Sequence, residues 1–209
     1  RAEALEWATT RGSRSGRVKR TLLPDLNLTP GHWTTVLGLV EKGDGLLFAA
    51  IAGDRADILF GTAAGQLLRT PAADVNPQAS GSARGVAGIG LKGADQLLAG
   101  AVVPEEAFER TAVYVVSEKG FVKRVPLAEY PPKGRGTGGV ITLNVGAATG
   151  KVAALAVGPL GADLDLVFAN GRRQHLPAAT VPTGNRYLQG KALGLVKEAE
   201  AAVTGAVAL

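Results

Sequence analysis

Glu118-Lys119-Gly120-Phe121-Val122-Lys123-Arg124-Val125-Pro126-Leu127 is the clearest copy of a phrase that this chain repeats four times. Its glycines, Gly16, Gly65, Gly120 and Gly171, are 49, 55 and 51 residues apart. A second anchor keeps step with the first, because Val36, Val86, Val140 and Lys191 follow those glycines by 20, 21, 20 and 20 residues. Two registers held at once argue against coincidence, and a period near fifty residues means small units that bury a shared core only when stacked or arranged radially. A short apolar run precedes each glycine, at residues 56–60, 112–116 and 164–168, with 5–8 as the weakest version. Enrichment in β-branched and aromatic residues makes these strands. The turns Ser15-Gly16, Ala64-Gly65, Lys119-Gly120 and Asn170-Gly171 then reverse the chain. A second strand leaves each turn with the basic residues and stops at Pro71, Pro126 and Pro177. Runs at 36–39, 86–89, 140–143 and 192–195, and small-residue runs at 46–50, 97–101, 152–156 and 203–207, supply two further strands per repeat. The Leu and Ala of the last runs suit helices by propensity, but turn signals about every eight to twelve residues favour strands. The expected fold is all-β and propeller-like, with four-stranded blades at residues 1–54, 55–110, 111–160 and 161–209.

Composition narrows the chemistry. The 209 residues contain no cysteine, which excludes disulfides, thiolate metal sites and a cysteine nucleophile, and the two histidines, His32 and His175, are too few for most transition-metal centres. No run approaches the roughly eighteen apolar residues of a membrane-spanning helix. The chain begins at Arg1 without a basic-then-apolar leader, so it is expected to be a fragment of a larger intracellular polypeptide rather than a processed secreted one. Net charge is +5, which suits a polyanionic partner. Residues 111–160 carry six bases against two acids, while Arg11, Arg14, Arg17, Lys19 and Arg20 fall within ten residues that hold no acid, a local basic patch.

No serine–histidine pairing, Walker-type loop or acidic cluster for magnesium is evident, so the chain is not expected to be an enzyme on its own or to need a cofactor or metal. Tryptophan–aspartate and kelch signatures are also missing. The sequence does resemble the C-terminal domain of the A subunit of bacterial type IIA topoisomerases, DNA gyrase and topoisomerase IV. The resemblance is carried by Gly16-Arg17-Val18-Lys19-Arg20-Thr21, by Gly120 through Tyr130, by Gly134-Arg135-Gly136-Thr137-Gly138-Gly139-Val140-Ile141-Thr142-Leu143 and, more loosely, by Arg84-Gly85-Val86-Ala87-Gly88-Ile89. It implies a β-pinwheel, either a closed disc or an open spiral, that bends duplex DNA around a basic rim. It further implies, as partners, the ATPase B subunit together with the rest of the A subunit. The family's cleavage tyrosine lies in another domain, so Tyr114, Tyr130 and Tyr187 do not inherit that role. The gyrase loop Gln-Arg-Arg-Gly-Gly-Lys-Gly has a three-of-seven counterpart at 133–139 and none at 29–35, which leaves gyrase and topoisomerase IV both open.

On this reading double-stranded DNA is the partner, and its candidate contacts are Arg17, Lys19, Arg20, Arg69, Arg84, Lys123, Arg124, Lys133, Arg135, Arg172 and Arg173. A strand leaving a tight turn sends neighbouring side chains to opposite faces, so a repeated Lys-Arg pair is expected to set one cation outward per blade. A row of such cations binds phosphates by counterion release without reading bases. The glycine-rich stretch 134–139 is expected to offer backbone N–H groups to phosphate, beside Lys133 and Arg135. The alternative is a propeller that binds proteins, with the basic residues serving only as a solvated rim. A carbohydrate-processing propeller ranks last, because paired central carboxylates are lacking.

Overall fold

The computed structural model describes residues 8–39, 42–195 and 202–209. In chain order the strands are β1 (Ala8–Ser13), β2 (Arg17–Leu22), β3 (Leu46–Ala52), β4 (Asp57–Thr62), β5 (Gln66–Pro71), β6 (Val86–Ala87), β7 (Leu97–Val103), β8 (Thr111–Ser117), β9 (Phe121–Pro126), β10 (Val140–Ile141), β11 (Val152–Pro159), β12 (Leu164–Phe168), β13 (Arg173–Leu176), β14 (Lys191–Ala192) and β15 (Val203–Ala208). They form an all-β fold of four sheets ordered β3-β1-β2-β6, β10-β5-β4-β7, β11-β8-β9-β14 and β13-β12-β15.

The anchor glycines set the local geometry. Gly16, Gly65, Gly120 and Gly171 all lie at φ between 77° and 81°, the left-handed region that glycine enters at least cost. Their N–H groups donate to the carbonyls of Ser13, Thr62, Ser117 and Phe168, closing four copies of one turn. A second strand follows each turn, and one 3-10 turn then begins seven residues after each glycine, at Leu23–Asp25, Ala72–Asp74, Leu127–Glu129 and Ala178–Thr180. In three repeats a proline precedes that turn, fixing φ near −57° and ending the ladder for want of a donor. The strand expected at 5–8 is different: residues 5–7 lie outside the described set, and the hairpin partner of β2 is the polar Ala8–Ser13, paired Ala8↔Leu22 through Gly12↔Val18. Glycine register places this strand correctly where apolar content does not.

Sheet and sequence repeat are out of phase. The first, second and last strands of a repeat pair with one another, but the short third strand crosses to the second strand of the preceding repeat. Thus β6 pairs with β2 (Val86↔Val18), β10 with β5 (Val140↔Leu67) and β14 with β9 (Lys191↔Val122). Two consequences correct the expectation of four four-stranded blades. Among the described residues the fourth sheet has three strands, and residues 36–39, which hold the third-strand place of repeat 1, form no strand.

The chain divides into two compact units, residues 1–60, 68–105 and 132–139 in the first and 61–67, 106–131 and 140–209 in the second. The first packs Val18, Ile58, Phe60, Leu68, Val75 and Leu97 into its core, with Phe48 edge-on to Phe60 at 6.0 Å. A Cβ on Gly12 or Gly100 would overlap the Phe48 ring, so small residues on β1 and β7 make room for it. The second unit buries Tyr114, Val116, Val122, Leu164, Leu166 and Phe168. Its small Ala154 and Ala156 on β11 explain why an alanine-rich run can be a strand: sheet packing outweighs intrinsic helix preference.

The crossover strands require close approach. Gly85 (φ +67°) and Gly190 (φ +88°) precede β6 and β14, and a Cβ there would lie 2.3 Å from the Val18 carbonyl oxygen and 2.5 Å from that of Val122. Gly85→Ala and Gly190→Ala are therefore each expected to cost about 1–3 kcal/mol in denaturant unfolding. Gly161→Ala, where a Cβ meets nothing within 4 Å, serves as the near-neutral control.

Candidate nucleic-acid interface

The repeated Lys-Arg pair does not stand on the surface, which corrects the expectation for Lys19, Arg20 and Lys123, each 1% exposed. Lys19 Nζ donates to the carbonyls of Ser80 (2.6 Å) and Val36 (3.0 Å), with Gly81 at 3.5 Å. Lys123 Nζ donates to Asn185 (3.1 Å), Arg186 (2.9 Å) and Leu188. Arg20 donates through Nη1 to the carbonyls of Ala72 and Val75 and through Nη2 to the Asp54 carboxylate. Arg124, half-buried, donates to Ala178 O and Thr183 Oγ1. The physical reason is the crossover: the second strand of one repeat lies under the loop of the next, so its long cations are spent on that loop's carbonyls. Backbone bonds mark the same junction, with Gln78, Lys133 and Gly184, each 13 residues after its anchor glycine, donating N–H to the carbonyls of Arg20, Arg69 and Arg124.

Other predicted contacts are also engaged. Arg69 is paired with Asp57, both largely buried. Arg17 donates from Nε to Arg84 O (2.9 Å) and from Nη2 to Gly85 O (2.6 Å). The basic patch expected at residues 11–20 is mostly interior, since Arg11 is buried as well, Arg17 is half-buried and only Arg14 is exposed. His175, at the arginine place of repeat 4, is exposed and sits between Asp165 (Nδ1, 2.7 Å) and Asp163 (Nε2, 3.2 Å). Its hydrogen bond to Asp165 and the nearby carboxylates raise its pKa above the usual imidazole value.

Burial lowers the pKa of Lys19, with the cross-strand Arg11 adding to the effect, and brings that of Lys123 to about 8 from 10.5. Lys123 is thus still mainly charged at neutral pH. Between about pH 8 and 10.5 the unfolded chain holds this proton while the folded chain increasingly does not, so unfolding free energy rises with pH across that window. The gain is complete above the unfolded value and lost as pH falls through about 8. Thermal melts from pH 7 to 10.5 are expected to narrow the stability gap between a Lys123→Met chain and wild type if the variant is the more stable at pH 7, and to widen it if the less stable. A gap that does not move with pH contradicts the shift.

Several exposed cations lie in the loops ahead of the crossover strands, while others, such as Arg14, Lys42, Lys92 and Lys151, lie elsewhere. Arg84 precedes β6, Lys133 and Arg135 precede β10, and Lys191 opens β14; all four are exposed. Within the first unit Arg17, Arg84 and Arg135 gather on one backbone segment, since Arg135 Nη1 donates to Ala87 O (3.4 Å) and Nε to Asp74 O (2.9 Å). Arg186, half-buried with its guanidinium 4.1 Å from the centre of the Tyr187 ring, and Lys191 occupy the loop in the second unit. Arg172 and Arg173 are exposed too, Arg172 lying 3.8 Å over Phe168 and donating to Leu195 O. Among the described residues no carboxylate is ion-paired with Arg84, Lys133, Arg135, Arg172, Arg173, Arg186 or Lys191. In repeat 1 the equivalent loop, 29–35, has no Lys or Arg and exposes Trp33 instead.

Glycines give these loops their sharp course, with Gly136 at φ +77° and Gly139 at +72°. The Gly136 N–H is already donated to Gly88 O, so it is not free to meet a phosphate. Sequence reasoning omitted Arg186 and Lys191. Register supplies the signal that finds one of them: Arg135 and Arg186 both stand 15 residues after their anchor glycines.

A family profile described as "DNA gyrase C-terminal domain, beta-propeller" matches residues 56–104 and 112–158. The DNA gyrase A subunit of Deinococcus deserti is 35% identical over 146 residues, 69% of this chain and 18% of the relative. Its counterpart from Pseudomonas aeruginosa is 30% identical over 178 residues, 85% of this chain and 19% of the relative. The chain therefore spans about a fifth of the length of these relatives. Two solved structures share the fold. The C-terminal domain of DNA topoisomerase IV superposes with a TM-score of 0.86 at 19% identity, covering 98% of this chain and 62% of that one. The DNA gyrase A C-terminal domain superposes with a TM-score of 0.80 at 17% identity, covering 98% and 66%.

Proposed function

The chain belongs to the family of C-terminal domains of bacterial type IIA topoisomerase A subunits, and on that premise we propose that it binds and wraps duplex DNA for a gyrase-like enzyme without having a catalytic site of its own. The observation that supports this most is the set of unpaired cations on the loops ahead of β6, β10 and β14. Such loops suit a phosphate backbone because they combine charge with glycine-permitted curvature. Arg135 and Arg84 make the contact in the first unit, joined by Lys133. Arg186, Lys191, Arg172 and Arg173 make it in the second. Lys19, Arg20, Lys123 and Arg69 hold the scaffold.

Bending 20–30 base pairs by 40–90° costs roughly 1–6 kcal/mol, a cost that several added phosphate contacts offset. The cleavage chemistry takes place elsewhere in the bacterial holoenzyme, which brings in the B subunit with the remainder of the A subunit, in the cytoplasm at the nucleoid. The test is duplex binding by fluorescence anisotropy as salt is varied, with end-to-end energy transfer on the same duplex to report bending. Log affinity should fall linearly with log salt, with a slope near −0.9 for each phosphate contacted, and the duplex ends should approach on binding. Affinity insensitive to salt, or binding that leaves the duplex straight, contradicts the proposal.

A further inference from the structure

We infer that Lys19 and Lys123 are positioning residues, each ammonium acting as an internal latch that fixes the DNA-facing loop of the following repeat. The inference rests on the DNA-binding reading above and assigns these lysines a part in it that involves no contact with DNA. Two independent copies carry it. In the first unit Lys19 Nζ gathers the carbonyls of Ser80 and Gly81, four and three residues before Arg84, and ties them to the carbonyl of Val36 in its own repeat. In the second, Lys123 Nζ gathers those of Asn185 and Arg186, and of Leu188, three residues before Lys191.

The surroundings are equivalent as well. The glycine closing each loop, Gly85 or Gly190, has a positive φ and would place a Cβ 3.2 or 3.1 Å from the Cβ of the latching lysine. Three converging carbonyls form a concentrated negative site, and an ammonium with three N–H groups matches it in charge and in number. Repeat 2 has the apolar Leu68 at this place. Its following loop, 133–139, is tied down instead by Arg135 to Asp74 O and Ala87 O, and by the Gly136 N–H to Gly88 O. A loop without a lysine latch thus acquires other ties, which is expected if the loop's placement matters.

Lys123→Ala, Lys123→Arg and Lys123→Met separate latch from contact. Alanine should leave a channel that n-propylammonium can enter, restoring the missing ammonium, whereas tetramethylammonium is too large. At constant ionic strength, exchanging tetramethylammonium for n-propylammonium should recover most of an affinity loss of about tenfold in Lys123→Ala and leave wild type unchanged. Arginine keeps the charge but not the shape, so Lys123→Arg should bind as weakly as Lys123→Ala. Three results would overturn the inference: full affinity in Lys123→Ala, full affinity in Lys123→Arg without it in Lys123→Ala, or a loss that n-propylammonium does not repair. Should Lys123→Ala not fold, Lys123→Met fills the channel, and hydrogen exchange at the amides of 185–190 must then be faster than in wild type. That exchange measurement needs no DNA. If wild type binds no duplex, the functional reading fails while the latch is still judged by exchange.

Discussion

Replacing Arg20 with alanine should lower the unfolding free energy by about 3 kcal/mol, although this residue reads in sequence as a surface cation. Its side chain is 1% exposed and its Nη1 is the donor to Ala72 O and Val75 O, both on fully buried residues. Truncation takes that donor from the Val75 carbonyl, at a cost of about 1–3 kcal/mol for an unsatisfied group, while the Ala72 carbonyl keeps the Val75 N–H, and it opens a void where the alkyl stem packed. Asp54, 62% exposed, returns to water and adds little. For a chain of this length, each kcal/mol corresponds to roughly 2–4 °C in melting temperature, so the drop should be roughly 6–12 °C by calorimetry. Arg20→Lys should recover only a minority of it, because one ammonium cannot serve the divergent carbonyl and carboxylate partners of a guanidinium fork. Arg173→Ala, on an exposed edge, should remain within about 0.5 kcal/mol of wild type. Comparable losses at both positions would show that Arg20 is not the fastener its hydrogen bonds indicate.

The second large effect is on binding. Changing Lys133, Arg135, Arg186 and Lys191 together to glutamine should weaken duplex binding about a thousandfold at 0.15 M salt and make the log–log salt slope shallower by about 3.6. Each removed phosphate contact contributes about 0.9 to that slope, and the affinity ratio follows from the slope change at that salt concentration. Stability should change little, because Lys133, Arg135 and Lys191 are exposed, Arg135 bonds the carbonyls of the exposed Asp74 and Ala87, and the half-buried Arg186 bonds the hydroxyl of the exposed Tyr187. An unchanged slope with lower affinity would mean that the loops act through shape rather than charge.

These two results divide one sequence motif into separate duties, and that division marks the limit of what the sequence discloses. The hairpins were legible because Gly16, Gly65, Gly120 and Gly171 need a backbone that other residues enter at a cost, and Pro71, Pro126 and Pro177 end the ladder by lacking a donor. Strand β1 was misplaced because its residues, Ala-Thr-Thr-Arg-Gly-Ser, are buried without being apolar, so hydropathy pointed a few positions too early. The third strands appeared as the second anchor, but their crossing to the preceding repeat is a long-range choice that no local preference encodes. The candidate site was misjudged for a related reason. A lysine on a strand next to a tight turn usually faces water, and only the neighbouring repeat's loop, folded over Lys19 and Lys123, converts it into an interior group. Arg84, Lys133 and Arg135 are exposed because they lie in glycine-rich loops, outside the strands that a neighbouring repeat covers.

Amine-reactive footprinting of the wild-type chain at pH 8, with and without duplex, tests the central division most directly. Lys123, whose pKa is about 8, would be among the most reactive amines if reagent could reach it. The expected pattern is rapid labelling of Lys133 and Lys191 that duplex suppresses, with Lys19 and Lys123 silent in both samples. Labelling of Lys19 and Lys123 as fast as Lys133 in the free chain, and its loss on adding duplex, would contradict the assignment and return the repeated lysines to the DNA surface.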